Sequence, residues 1–304
     1  MENQDIYKFI KNIVKDNDLN KLPDEYGSGA IFSEPLIGIA KGNDPIFNKY
    51  KEIISEKHFT PAELWLAHDL SNKENLASKL RILSIVFPFS REIREKSIDK
   101  RKMPAEIYCV GRNYANVLIP DVLKKIIAFL EEKGYNGTSR IDSEVFNITI
   151  QRKYPYLFSN WSERHIAFAA GLGTFSLHEG LITEKGCNIR LGSVVTDAPL
   201  EVTPRRTEDP YANCLFYAKG TCKKCVERCP GGALSEEGHD KWKCTKYEQM
   251  VAEKMHKRLG NILIPHWRRI NGIYKEQRHP PVGCAFCQFN VPCMDKNPLK
   301  SKND

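Results

Sequence analysis

Eight of the ten cysteines in this 304-residue chain fall between positions 214 and 293. No other feature narrows so far what the chain can fold into. The opening residues, Met1-Glu2-Asn3-Gln4-Asp5, carry neither a basic stretch nor an apolar run of the secretory kind. No segment approaches the roughly 20 apolar residues that span a bilayer. The expectation is therefore a cytoplasmic protein without membrane contact. Thiols there stay reduced, so clustered cysteines read as metal ligands rather than disulfides.

The first group is Cys222-Lys-Lys-Cys225-Val-Glu-Arg-Cys229-Pro230. This C-x2-C-x3-C-P spacing matches the latter part of the bacterial ferredoxin run, whose last cysteine serves the other cluster. Two intervening residues let one tight loop aim two sulfurs at one cubane, and three swing the next sulfur towards a neighbour. Pro230 then ends the local helix and removes a backbone donor. The second group is Cys284-Ala-Phe-Cys287-Gln-Phe-Asn-Val-Pro-Cys293, and Cys214 and Cys244 stand alone. The eight thiols suffice for two four-cysteine [4Fe–4S] clusters. Two four-cysteine zinc sites would use the same number, but zinc knuckles come as isolated C-x2-C pairs without the third cysteine and proline. Cys109, in an apolar run, reads as a buried small hydrophobe. Cys187, in the turn-like Glu184-Lys-Gly-Cys-Asn188, is a candidate catalytic or cofactor-facing thiol.

The cysteine-poor first 200 residues and the cysteine-rich remainder divide the chain into residues 1–203 and 204–304, at the polar stretch Thr203–Pro210. The first part mixes helices and strands, which gives an α+β fold class. Ile6, Ile10, Ile13 and Val14 predict an opening amphipathic helix. Thr60-Pro-Ala-Glu63 is a capping box with proline at the first helical position. Asp121–Lys133 reads as a helix closed by Gly134. Ser162 is expected to cap a helix that ends at Gly171. Leu80–Phe89, Glu106–Val110 and Ile189–Val195 read as strands. The formal charge of +8 admits an anionic partner. Two [4Fe–4S]2+ cores, each about −2 with four thiolates, would lower that +8 to about +4. Lys96–Lys102 and His266-Trp-Arg-Arg269 are candidate RNA contacts, but aromatics and arginines interleave there only once.

Three ordered segments resemble epoxyqueuosine reductases and, more loosely, corrinoid-dependent reductive dehalogenases. They are Val110-Gly-Arg-Asn-Tyr-Ala-Asn-Val-Leu118, the stretch from Ala169-Ala-Gly-Leu-Gly-Thr-Phe175 to Leu191–Leu200, and the cysteine region with Lys243-Cys244-Thr-Lys-Tyr247. The resemblance implies an N-terminal α/β sandwich of the nitroreductase or corrinoid-binding kind, followed by a ferredoxin-like two-[4Fe–4S] domain. It implies cobalamin beside one cluster and an external low-potential donor of the ferredoxin or flavodoxin type. The substrate would be a small molecule or a modified base, and tRNA is the family's macromolecular partner. Carried over, Cys214, Cys222, Cys225 and Cys293 would hold one cluster. Cys229, Cys244, Cys284 and Cys287 would hold the other, nearer the corrinoid. A corrinoid-free protein that passes electrons to a partner is the alternative from another class.

Arg112, Asn113 and Tyr114 are the candidate catalytic residues. The family has an acid where this chain has Asn113, and an amide supplies no proton near neutral pH. That departure argues against ordinary epoxyqueuosine reduction and moves the expected proton source to Tyr114. The candidate cofactor-binding residues are Asn160, Trp161, His165, Gly171 and Gly173. Gly171-Leu-Gly173 lacks the third glycine of a dinucleotide loop. His165 and His178 are the candidate cobalt ligands. Two spacings also depart from the family: seven residues separate Cys214 from Cys222 and five separate Cys287 from Cys293, where Pro292 precedes the last cysteine.

Overall fold

The computed structural model describes residues 1–71, 74–140, 144–153 and 156–300. At its centre is an antiparallel four-stranded sheet in the order Leu36–Lys41, Arg81–Pro88, Ile189–Thr196, Gly137–Thr138. The second strand is buried from Ile82 to Pro88, with Ser84 among its apolar side chains, because both of its faces are covered. Leu83, Ile85 and Phe87 face a core built with the helices Asn3–Lys15 and Glu106–Glu132. Ile82 faces the opposite core with Trp161, Ile166 and Phe168. The period-2 alternation of strand side chains therefore yields a helix–sheet–helix sandwich. The fold is mixed α+β.

The opening helix buries Ile6, Ile10 and Val14, as their spacing predicts. At Thr60 the capping box forms: Glu63 N–H donates to Thr60 Oγ1 and Thr60 N–H donates to the Glu63 carboxylate. Two expectations fail. Glu106–Val110 is the start of a 27-residue helix, not a strand. Ile107, Val110, Leu118, Val122, Ile126 and Leu130 are buried along one face, and a five-residue window is too short to reveal that period. Pro120 removes one donor, but buried Leu118, Ile119, Val122 and Leu123 hold the turns on either side. The other fails only in part: Ser162 stands at the N-cap of the helix Glu163–Ala169, but its Oγ is 2.8 Å from His165 Nδ1 and makes no side-chain cap. Gly171 follows at φ +73, the left-handed position that ends such a helix.

A second four-stranded sheet joins residues from both sides of position 203. Its order is Ile273–Glu276, Trp267–Ile270, Ile148–Ile150, Leu157–Ser159, with Ile270 paired parallel to Ile148. Asn271 and Gly272, both at positive φ, make the hairpin turn. The helix Lys241–Leu259 sends Val251, Ala252, Met255 and Leu259 into the N-terminal core. The cysteine-rich remainder consists of the short helices Leu215–Lys219 and Lys224–Arg228, a small hairpin, and loops. No described helix is long and apolar enough to cross a membrane.

Candidate metal and anion sites

Cys214, Cys222, Cys225 and Cys293 line one small cavity of about 20 Å³, with Leu177, His178 and Pro292. Cys214 precedes the helix Leu215–Lys219, which Gly220 ends at φ +66. The wide gap after Cys214 is therefore one helical turn plus a return loop. Cys225 rides on the helix Lys224–Arg228, and Arg228 Nε donates to Phe289 O at 3.0 Å. That bond ties the first cysteine group to the second.

Cys229, Cys244, Cys284 and Cys287 form the second gathering. Cys229 and Cys284 both act electrostatically on Cys244, and Cys284, Cys244, Cys225 and Cys229 act on Cys287. Cys244 sits in the first turns of the Lys241–Leu259 helix, whose N-cap Asp240 accepts from Trp242 N–H and Lys243 N–H. Ala233 N–H reaches Cys229 Sγ at 3.3 Å. Burial pushes the Cys225, Cys244 and Cys284 thiols up to about 12, and neighbouring thiols or Glu248 add to it. Without a cation these sulfurs stay protonated, so a metal must displace their protons as it binds. An all-sulfur donor set suits an iron–sulfur cluster.

Beside the second gathering lies a group of cations that sequence reasoning only partly found. Arg112, Arg190 and Arg268 act on one another electrostatically, and His266 is close to all three. Burial lowers all three guanidinium pKa values, Arg190 the furthest, and brings Arg268 to about 10. Burial and the three arginines hold His266 at about 3, so it is neutral. Among the described residues none of the three arginines has an ion-pair partner. Arg112 donates to Asn116 Oδ1, and Arg190 Nε is buried without a hydrogen bond. Glu248 acts attractively on Arg112 and Arg268 and offsets part of this charge, and an anionic ligand would offset the rest. Gly283, at φ +71 and next to Cys284, closes this group: a Cβ there would stand 3.1 Å from Tyr108 Oη and 3.3 Å from Arg112 Cγ. Tyr108 was hidden by the strand reading of its segment. As a helix, the i,i+4 spacing puts Tyr108 and Arg112 on one face. Arg190 was legible only as an arginine inside an apolar strand.

The other candidate residues are placed differently. Asn113 is buried and pins Ile264, donating to its carbonyl at 3.0 Å and accepting from its N–H at 2.8 Å. Tyr114 Oη donates to Ile262 O at 3.2 Å. Asn160 bridges Val145 O and Asn147 N–H, and Trp161 is core, with its indole N–H on Ser193 Oγ. A Cβ on Gly171 or Gly173 would strike Pro204 O or Ile182 O, so close backbone packing requires both. His165 lines a cleft of about 770 Å³ with Tyr50, Arg164, Phe175, Tyr217 and His239. Burial, then Arg164 and His58, hold it neutral. Ser176 and Leu177 separate this cleft from the first cysteine cavity. His178 stands with Cys187 and Cys293, not in the cleft.

No family model matches the chain. Its sequence is similar to curated epoxyqueuosine reductases. The epoxyqueuosine reductase of Bacillus anthracis is 27% identical over 234 residues, covering 73% of this chain and 53% of that protein. That of Gloeobacter violaceus is 30% identical over 189 residues, covering 61% and 48%. The chain spans about half the length of the curated relatives it matches. Among solved structures, epoxyqueuosine reductase from Bacillus subtilis aligns with 98% of this chain and 67% of its own, at 16% identity and a TM-score of 0.48. A catabolic reductive dehalogenase in complex with 3-bromo-4-hydroxybenzoic acid aligns with 99% of this chain and 47% of its own, at 15% identity and a TM-score of 0.46.

Proposed function

We propose that this chain is an iron–sulfur oxidoreductase of the epoxyqueuosine reductase kind, acting on a modified nucleoside carried by tRNA. The observation that carries the reading is the group of three half-buried arginines beside the second set of cysteines, without a salt-bridge partner among the described residues, in a chain whose curated relatives are epoxyqueuosine reductases. It suits an anionic ligand, and a nucleic-acid substrate or the phosphodiester of cobalamin supplies one.

In this reading Cys214, Cys222, Cys225 and Cys293 hold one [4Fe–4S] cluster and Cys229, Cys244, Cys284 and Cys287 the other. The division at 203 separates a substrate and corrinoid part from a ferredoxin-like part. When bound, the clusters supply one-electron transfer from an external ferredoxin- or flavodoxin-type donor, and a corrinoid supplies a strongly reducing cobalt centre. Arg112, Arg190 and Arg268 hold and orient the anion. A side chain at Gly283 would meet Tyr108 and Arg112, so the position needs a glycine beside this group. Burial raises the Tyr108 phenol, so Tyr108 keeps its proton and offers an O–H beside Arg112 as a hydrogen-bond donor. The Tyr114 hydroxyl is engaged by Ile262 O and would have to leave that bond to supply a proton.

The test is anaerobic reconstitution followed by iron, sulfide and cobalt analysis, with complementation of a bacterium that lacks epoxyqueuosine reductase. About eight irons per chain and restored queuosine are expected. Arg190→Met should fold about as stably as the parent, because Arg190 has no salt bridge among the described residues to lose and its Nε is buried without a hydrogen bond. It should also lose most of the activity. A variant that keeps full activity and the parent's salt-dependent RNA affinity sinks the reading. The cleft of about 770 Å³ favours a second reading, reduction of a small organic molecule. That reading predicts no rescue of queuosine by a chain carrying both clusters.

A further inference from the structure

Cys293 differs from the other seven thiols in what stands beside it. Cys187 Sγ lies 3.7 Å from Cys293 Sγ. A ring nitrogen of His178 lies within 4.8 Å of both sulfurs. Cys187 and His178 are only 1% and 5% exposed, so no water competes for them. Backbone bonds fix the arrangement: Cys187 N–H donates to Cys293 O at 2.8 Å and Asn188 N–H to Met294 O at 3.2 Å.

The orientation of the histidine proton follows from its neighbours. His178 Nδ1 accepts from Gly180 N–H at 3.2 Å. A ring nitrogen that accepts carries no proton, so the neutral imidazole bears its proton on Nε2. Nε2 is buried and has no hydrogen-bond partner, and the ring lines the cavity of Cys214, Cys222, Cys225 and Cys293. That cavity already holds four thiols, so Cys187 is a fifth sulfur that a four-cysteine cluster does not require.

We propose that Cys187 S–H donates a hydrogen bond to the sulfur of Cys293, that the unpartnered His178 Nε2–H turns to the same sulfur when the cluster is bound, and that the two raise the reduction potential of the cluster held there. The proposal rests on the cluster assignment above. Reduction adds negative charge that spreads onto the ligand sulfurs, and a donated hydrogen bond stabilises that charge more in the reduced state than in the oxidised one. Cys187 and His178 are positioning residues; they touch the ligand, not the iron. The second set of cysteines has no such pair of side-chain donors among the described residues.

The experiment is an EPR-monitored redox titration of the anaerobically reconstituted full chain, with iron and sulfide analysis, for the parent, Cys187→Ala, His178→Asn and His178→Gln. Asparagine keeps an acceptor for Gly180 N–H but loses the far donor; glutamine keeps an N–H near the Nε2 position. All four proteins should carry the same iron. One midpoint should move negative in Cys187→Ala and in His178→Asn, the other should not move, and His178→Gln should stay near the parent. Unmoved midpoints in both Cys187→Ala and His178→Asn overturn the proposal. Loss of one cluster's iron in Cys187→Ala also overturns it, by making Cys187 a ligand. A parent chain that takes up zinc but no sulfide overturns the cluster assignment itself, and is told apart by the metal analysis alone.

Discussion

Asn113 holds both backbone groups of Ile264 at once, which needs one donor and one acceptor on the same short side chain. Aspartate has no donor to offer. Asn113→Asp would set a buried carboxylate against a carbonyl oxygen and should cost about 2–4 kcal/mol of stability. Chemical denaturation measures that cost, and activity per folded molecule should not rise. A stable, more active Asn113→Asp protein would show that the position belongs to the chemistry. His58 gives the residue-scale pH dependence. Its Nε2 accepts from Ser162 N–H at 3.0 Å, and burial holds its pKa down to about 4 from an ordinary 6.5. Above pH 6.5 both folded and unfolded states are neutral and the full stability is present. As the pH falls from 6.5 to 4 the unfolded state binds a proton that the folded state refuses, so about 3 kcal/mol drains away. Denaturation midpoints at pH 7 and pH 4.5 check this; His58→Gln should show a flatter slope, and an equal slope would refute the assignment.

At the scale of elements, the segment Gly186–Asn188 decides where Cys293 can be. Gly186 sits at φ +83, and a Cβ there would stand 2.3 Å from Met294 O and 2.5 Å from Asp295 N. Gly186→Ala is strained twice, by conformation and by collision, and should cost more than about 1–3 kcal/mol. It should also push the chain at 293–295 away from Cys214, Cys222 and Cys225. Iron per chain after reconstitution is the readout: the variant should lose up to half, and full iron uptake would contradict the placement. The helix Glu106–Glu132 teaches a related lesson. Its first five residues carry no strand signal beyond being apolar, and its helical period emerges only over several turns. Once it is a helix, Tyr108 and Arg112 share a face, and Asn113 is turned towards Ile264.

At the scale of the whole molecule, the two parts of the chain are joined by shared structure. The sheet pairing Ile270 with Ile148 and the helix Lys241–Leu259 tie the cysteine-rich region to the N-terminal cores. Removing the metal should therefore loosen only what the metal holds. An iron-free protein should keep its central sheet and both apolar cores while the segments around 214–230 and 284–293 become open to protease. Limited proteolysis of iron-free and reconstituted protein, with circular dichroism on both, tests this. Collapse of the entire fold on iron removal would show that the cores depend on the clusters.

The sequence by itself determined the thiol-rich character, the mixed α+β class, the opening helix, the Thr60 capping box and the two long strands, because spacing and composition act locally. It placed Cys214, Cys222, Cys225 and Cys293 together only through a resemblance. The structure gathers those four around one cavity. What only the tertiary structure decided are the meetings between distant segments. Arg190 on a strand, Arg112 on a helix and Arg268 on a hairpin form one cationic group, with Glu248 as its acidic neighbour. Gly283 fits against Tyr108, and Cys187 meets Cys293 across more than a hundred residues. No local pattern carries such information. Desolvation and Coulomb energies depend on which side chains become neighbours, and that is fixed only when the two apolar cores close around the sheet.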